Sequence, residues 1–212
     1  VDDYLTNEQQ VELVKKLWKE YGIAITLGAL IAMTVSVGWR FYQRYNTRKS
    51  EQASLIYERM ASDVMQHQIT DAKTQSDILI HKFSKTPYAT LASFTLAKLA
   101  VEQNQLDEAV QHLNWIIQHS HNKDFKQIAR IRLARVYLSQ NETKKALQTL
   151  EQVDSFAFQG LIAEVRGDVY THLGQIDKAR NIYQEALKQL PEQTTIRPLL
   201  QMKLDNLPQT NT

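Results

Sequence analysis

Apolar positions follow two different rules along this chain. Residues 21–39 form a run of 19 positions without a charged side chain, whereas beyond residue 50 apolar residues recur every three or four positions among charged and polar ones. At a rise of about 1.5 Å per residue the uncharged run makes a helix about 28 Å long, matching the hydrocarbon thickness of a bilayer. The second rule marks amphipathic helices that share a buried face. Together they predict an all-α chain: a single N-terminal transmembrane helix over residues 21–40, then a helical domain over residues 41–212.

Both edges of the span are marked. Lys19 and Glu20 precede it, and Arg40, Arg44, Arg48 and Lys49 follow it. Tyr21, Trp39, Arg40 and Tyr42 stand where amphipathic rings and a long cation anchor a helix at the membrane–water interface. A removable signal sequence would close on small residues; this run closes on the bulky, basic GWRFYQR, so the helix is read as retained. Within it Ala24, Gly28, Ala32 and Ser36 recur every fourth residue, a stripe of small side chains on which another membrane helix could pack closely. Before it, residues 1–20 carry Val11, Val14, Leu17 and Trp18 at helical spacing, with Thr6 or Asn7 placed to cap the start. This segment reads as a short amphipathic helix that lies along the interface or runs directly into the span. Lys15, Lys16 and Lys19 on one side against Arg40, Arg44, Arg48 and Lys49 on the other put the domain on the cytoplasmic side, by a margin of one charge.

After the span glycine is scarce and proline is confined to Pro87, Pro191, Pro198 and Pro208, so helices have few interruptions and no stretch is rich in strand formers. The segment GLIAEVRGDVYTHLGQIDKARNIYQEALKQLP, residues 160–191, holds Gly167, Tyr170, Gly174, Ala179, Tyr183, Ala186 and Pro191 at the spacing of a tetratricopeptide repeat, a pair of antiparallel helices about 34 residues long. Small Gly167 and Ala179 suit the place where the two backbones nearly touch, Tyr170 and Tyr183 fill the wider gaps, and Pro191 helps to end the second helix. Offset by 33 residues, Ala134, Tyr137 and Ala146 take the corresponding places, and a further 37 residues back come Ala97 and Ala109. The extra length falls in HSHNKD, residues 119–124. Repeats are thus expected at about 90–119, 127–158 and 160–193, after an irregular leading hairpin at 50–85 and before a closing helix at 195–207. Ala72 in the leading hairpin lies 37 residues before Ala109. The stack reads as a tetratricopeptide-like right-handed helical solenoid.

Charge and composition change this picture little. Seven of the 25 basic and five of the 23 acidic residues lie at or before Lys49, so 18 of each balance beyond it and nothing invites nucleic acid. The absence of cysteine removes disulfides, thiolate nucleophiles and cysteine-ligated metals. His119 and His121, the closest of the six histidines, sit in a polar linker without the acidic or sulfur partners of a metal site. No spacing nominates a catalytic triad or a phosphate-cradling glycine loop, so no enzyme activity, catalytic residue or cofactor is expected. A solenoid instead offers a concave surface built from the first helix of each pair, suited to a peptide or a partner's helix. The repeat register nominates Phe94, Lys98, Glu102, Arg135, Glu164, Asp168 and His172 for that groove, with Lys98, Arg135 and Asp168 expected to be more exposed than Leu91 or Ile131.

With YLTNEQQVELVKKLWKEYG before the span, GWRFYQ after it and YATLASFTLAKLAVEQNQLDEAVQHL at residues 88–113, the chain resembles, over nearly its whole length, the YfgM-like ancillary subunits of the bacterial Sec translocon. These share their domain class with the cell-division coordinator CpoB. The resemblance implies a single-pass inner-membrane protein with its N-terminus in the cytoplasm and its repeats in the periplasm, opposite to the charge count. It further implies association with SecYEG, with a membrane-anchored periplasmic chaperone of the prolyl-isomerase class, and with nascent or newly translocated polypeptides, in contact with membrane lipid and without nucleic acid. The other reading left open is a membrane-tethered adaptor that binds a signalling or cell-division protein through the same groove.

Overall fold

The computed structural model describes residues 7–208; Thr6 and the side chains of Val14 and Leu17 lie outside the described set. The chain divides after Lys49 into two compact units. In the first, helix α1 (Asn7–Met65) passes the expected boundary between residues 20 and 21 without a break, so the polar segment and the span are continuous. Ile23, Leu27, Leu30, Ile31 and Val35 are all exposed. Among the described residues this is the one helix long and apolar enough to cross a membrane, with a mean hydropathy of 1.8 in its apolar window. The two threonines of the uncharged run do not spoil that surface. The Thr26 hydroxyl donates to the carbonyl of Gly22 at 3.0 Å, and that of Thr34 to Leu30 at 2.8 Å, so each polar group is satisfied within the helix, as lipid requires.

The second unit comprises the end of α1, then α2 (Ile69–Lys82), α3 (Pro87–Glu102), α4 (Leu106–His119), α5 (Lys123–Ser139), α6 (Thr143–Glu151), α7 (Gln159–His172), α8 (Ile176–Gln189) and α9 (Arg197–Asp205). Three-residue turns join α1 to α2, α3 to α4, α5 to α6 and α7 to α8. The middle residue of each turn is left-handed: His67, Asn104, Asn141 and Gly174 have φ of 60°, 57°, 62° and 69°. The residue after it donates its N–H to a carbonyl five positions back, Gln68 to Asp63, Gln105 to Ala100, Glu142 to Tyr137 and Gln175 to Tyr170, at 2.7–2.9 Å. This is one helix-ending motif used four times to satisfy the orphan carbonyls of the first helix. Glycine and asparagine adopt the left-handed conformation at low cost, which explains Gly174, Asn104 and Asn141. The leading hairpin, expected to be irregular, has the same turn with histidine in that place.

Four residues into each second helix stands an alanine, Ala72, Ala109, Ala146 and Ala179, each with 0% exposure. A side chain this small lets the two helices of a pair pack closely there. Each hydrophobic cluster is built from one helix pair and the next helix along. Phe94, Ala97, Leu113, Ile116 and Leu133 join α3, α4 and α5, and Ile131, Ala146, Leu150, Val165 and Val169 join α5, α6 and α7. Contacts therefore run between neighbours in sequence, as in a solenoid. The linker at residues 119–124 is ordered by Asn122, whose Oδ1 accepts from the N–H groups of Asp124 at 2.8 Å and Phe125 at 3.2 Å and so caps α5.

At Gly167 a Cβ would lie 2.1 Å from the ring of Tyr183, which is itself 1% exposed, so the two helices of the last pair close only over hydrogen. Gly167→Ala and Ala146→Leu are each expected to cost about 1–3 kcal/mol through overpacking, measured by urea unfolding of the full chain, whereas Gln148→Ala and Gln159→Ala, at exposed positions of the same helices, change stability by less than about 0.5 kcal/mol.

Candidate functional site

The first helices α3, α5 and α7 lie side by side, and the repeat register sorts their residues into rows. Phe94, Ile131 and Glu164 form one row, 8%, 1% and 5% exposed. Lys98, Arg135 and Asp168 form the next, and their side chains stand 70%, 41% and 27% exposed. The second row faces the groove; of the first, Phe94 lines the groove floor, while Ile131 and Glu164 are turned into the core. Glu164, expected on the open groove, therefore occupies a core position, and its carboxylate is taken up internally.

Two cations engage it. The guanidinium of Arg135 binds Glu164 Oε2, and Lys203 Nζ, delivered by α9, lies 2.7 Å from Oε1. Lys203 also binds Asp168 Oδ2, while the hydroxyl of Tyr183 donates to Asp168 Oδ1 at 2.7 Å. Burial alone would raise the pKa of Glu164, but its hydrogen bonds from Lys203 and Arg135 outweigh burial and hold it below the usual carboxylate value. Burial acts oppositely on Lys203, yet the two carboxylates keep it above the ordinary lysine range. The Tyr183 hydroxyl is pushed upward by burial and by its bond to Asp168. The network ties α5, α7, α8 and α9 together and closes the groove at the end of the stack.

The remaining groove candidates come together further along. A hollow of about 390 Å³ between α3 and α5 is floored by Phe94, Ala97, Leu113 and Val136 and edged by Lys98, Glu102 and Arg135. Lys98 Nζ and Glu102 Oε1 are 3.6 Å apart on an exposed helical turn, a pair of small energetic weight. His172, at the exposed end of α7, belongs to neither cluster. A second hollow of about 250 Å³ adjoins the first, lined by Tyr57, Leu91, Phe94, Phe125 and Ile128. At the shared boundary the Arg132 guanidinium lies over the Phe94 ring, 4.7 Å from its centroid, and Phe125 meets that ring edge-on at 6.1 Å. Arg132 and Lys203 escaped the sequence reading. Arg132 lies 37 residues after Thr95, within the register that named Arg135, so the signal existed; Lys203 lies beyond the repeats, where no register applies.

Elsewhere, the His119 ring stacks on Trp115 at 4.8 Å and its Nδ1 lies 2.9 Å from the Trp115 carbonyl, while His121 is exposed. On the apolar helix Ala24, Gly28, Ala32 and Ser36 are exposed, and a Cβ at Gly28 would meet open space. Tyr21, Trp39, Arg40 and Tyr42 are exposed as well, with the Trp39 and Tyr42 rings 6.4 Å apart.

Removing the buried charge has a measurable signature. Glu164→Gln is expected to destabilise the domain by about 3 kcal/mol at neutral pH, near the low end for a broken buried ion pair because Arg135 stays partly solvated. Because the folded-state pKa of Glu164 is depressed, its stabilisation is complete above the unfolded value of 4.5 and is lost as pH falls through the folded value. The variant's unfolding free energy should accordingly fall less steeply below pH 4.5 than that of the parent protein, as read by denaturant titration at several pH values.

Residues 15–209 match the family model described as a tetratricopeptide repeat-like domain. The chain is 27% identical to the ancillary SecYEG translocon subunit of Escherichia coli over 207 residues, covering 96% of this chain and 98% of that one. It is 29% identical to the protein of the same name from Haemophilus influenzae and 25% identical to that from Neisseria gonorrhoeae, each over 206 residues with the same coverages. The full-length resemblance expected from the sequence is thus found. Among solved structures, the tetratricopeptide-like repeats of a putative kinesin light chain from Podosopora anserina share the fold. Their TM-score is 0.52 at 18% identity, over 75% of this chain and 84% of theirs.

Proposed function

The chain belongs to the tetratricopeptide repeat-like domain family, and we propose that it serves as a non-enzymatic, membrane-anchored interaction subunit of the bacterial Sec translocon. The observation that carries this reading is end-to-end similarity, through both the apolar helix and the repeats, to relatives named as ancillary SecYEG translocon subunits. In this reading the apolar helix sits in the inner membrane with the N-terminus cytoplasmic, and the repeats stand in the periplasm beside the channel exit. There they dock a membrane-anchored chaperone of the prolyl-isomerase class and hand over newly translocated polypeptides.

The physical role of the anchor is concentration. A tether that confines a weak binder to within tens of ångströms of its partner raises the effective concentration toward the millimolar range, so a groove of modest affinity suffices. The small-residue face of α1 at Ala24, Gly28, Ala32 and Ser36 supports close packing against a translocon or chaperone span. The groove residues Phe94, Lys98 and Glu102, with Arg135 at the edge, are left to the periplasmic partner.

Because the chain has no cysteine, a single introduced one reports its own compartment. In spheroplasts, Lys98→Cys is expected to react with a membrane-impermeant maleimide, and Lys15→Cys only after the membrane is opened. The reverse pattern would put the repeats in the cytoplasm and remove the periplasmic chaperone from consideration.

A further inference from the structure

Four charged side chains edge the trough formed by the two hollows between α3 and α5: Lys98, Glu102, Arg132 and Arg135. Three have partners within the fold. Lys98 and Glu102 face each other at 3.6 Å, and Arg135 is bound to Glu164. Arg132 makes no ion pair among the described residues; its companions are the Phe94 ring beneath it and the Arg135 charge one helical turn away. The trough therefore carries one uncompensated cation, placed at the boundary between two apolar depressions and held there by an aromatic ring. A guanidinium presents a planar fork that fits a carboxylate with two parallel hydrogen bonds, and its place over the Phe94 ring holds that fork at the trough's edge.

We infer that this trough binds an amphipathic peptide segment that sets a carboxylate on Arg132 and buries an apolar side chain in the hollow on each side of it. This rests on the reading of the protein as an interaction subunit and specifies the chemistry its groove selects. The two hollows have different linings. Phe94 lines both; beyond it the first is floored by aliphatic Ala97, Leu113 and Val136, and the second adds the rings of Tyr57 and Phe125. The segment is thus apolar, acidic, apolar in order, with an aliphatic side chain toward Val136 and a bulkier or aromatic one toward Phe125. A basic segment is disfavoured, since it would bring a third cation beside Arg132 and Arg135 in a partly desolvated site.

The test is a random dodecapeptide display library selected on the full chain in nanodiscs, in parallel on the parent protein, Arg132→Glu and Arg132→Gln. Peptides enriched on the parent should carry aspartate or glutamate between apolar residues. Enrichment should lose that preference on Arg132→Gln and move to lysine or arginine on Arg132→Glu. Circular dichroism melts of the three proteins identify a variant that fails to fold, in which case the comparison rests on the other. No enrichment on the parent, no acidic preference, or the same preference on all folded proteins would overturn the assignment. Recovery of SecY with the same nanodisc preparations is scored separately. Its loss would count against the translocon reading while leaving the peptide preference standing, and a selection without acidic preference alongside retained SecY would do the converse.

Discussion

The close approach of two antiparallel helices at a buried alanine is the constraint from which the rest of the domain follows. Ala72, Ala109, Ala146 and Ala179 each have no exposed surface, and each stands at the same distance after a left-handed turn residue. A larger side chain there would push the pair apart and tilt the next pair with it. The turn fixes the angle at which the second helix leaves, and the alanine fixes how near it returns. With those two set, each pair buries its apolar face only by accepting the first helix of the next pair, as the four clusters show. A stack follows, and with it a continuous surface made by the first helices.

That architecture was legible where it depends on residue size and failed to be legible where it depends on charge. Gly167, Ala179 and Tyr183 announced the last pair because only small residues permit the approach and only a ring fills the gap beside it; the clash that a Cβ at Gly167 would make with Tyr183 is the physical content of that motif. The leading pair was harder to read. Its turn uses His67, a weaker signal for a left-handed conformation than glycine or asparagine, and only the 37-residue offset from Ala72 to Ala109 hinted at the shared geometry. Glu164 misled because a carboxylate in an amphipathic pattern reads as solvent-facing. Its burial depends on Arg135 one repeat earlier and Lys203 in the closing helix 39 residues later, a convergence that periodicity does not encode.

Burying Glu164 also separates two tasks along the groove. At its closed end, Arg135, Glu164, Asp168, Tyr183 and Lys203 satisfy one another, and α9 seals the last pair with Leu200 and Leu207 in its core. Such a capping element is what a solenoid needs where its final apolar face would otherwise meet water. Nearer the start, the trough around Phe94 and Arg132 stays open, apolar and with a cation to spare. In the first unit the apolar side chains of α1 are left uncovered, a surface that lipid or another helix accommodates and water does not.

The most direct test of the translocon assignment is affinity isolation of the full chain from native membranes in polymer nanodiscs, with SecY quantified by mass spectrometry against an unrelated single-span protein expressed at the same level. SecY enriched several-fold over that control is the expected result. SecY at the control level, with a signalling or cell-division protein recovered in its place, would contradict the assignment and leave a tethered solenoid serving a different partner.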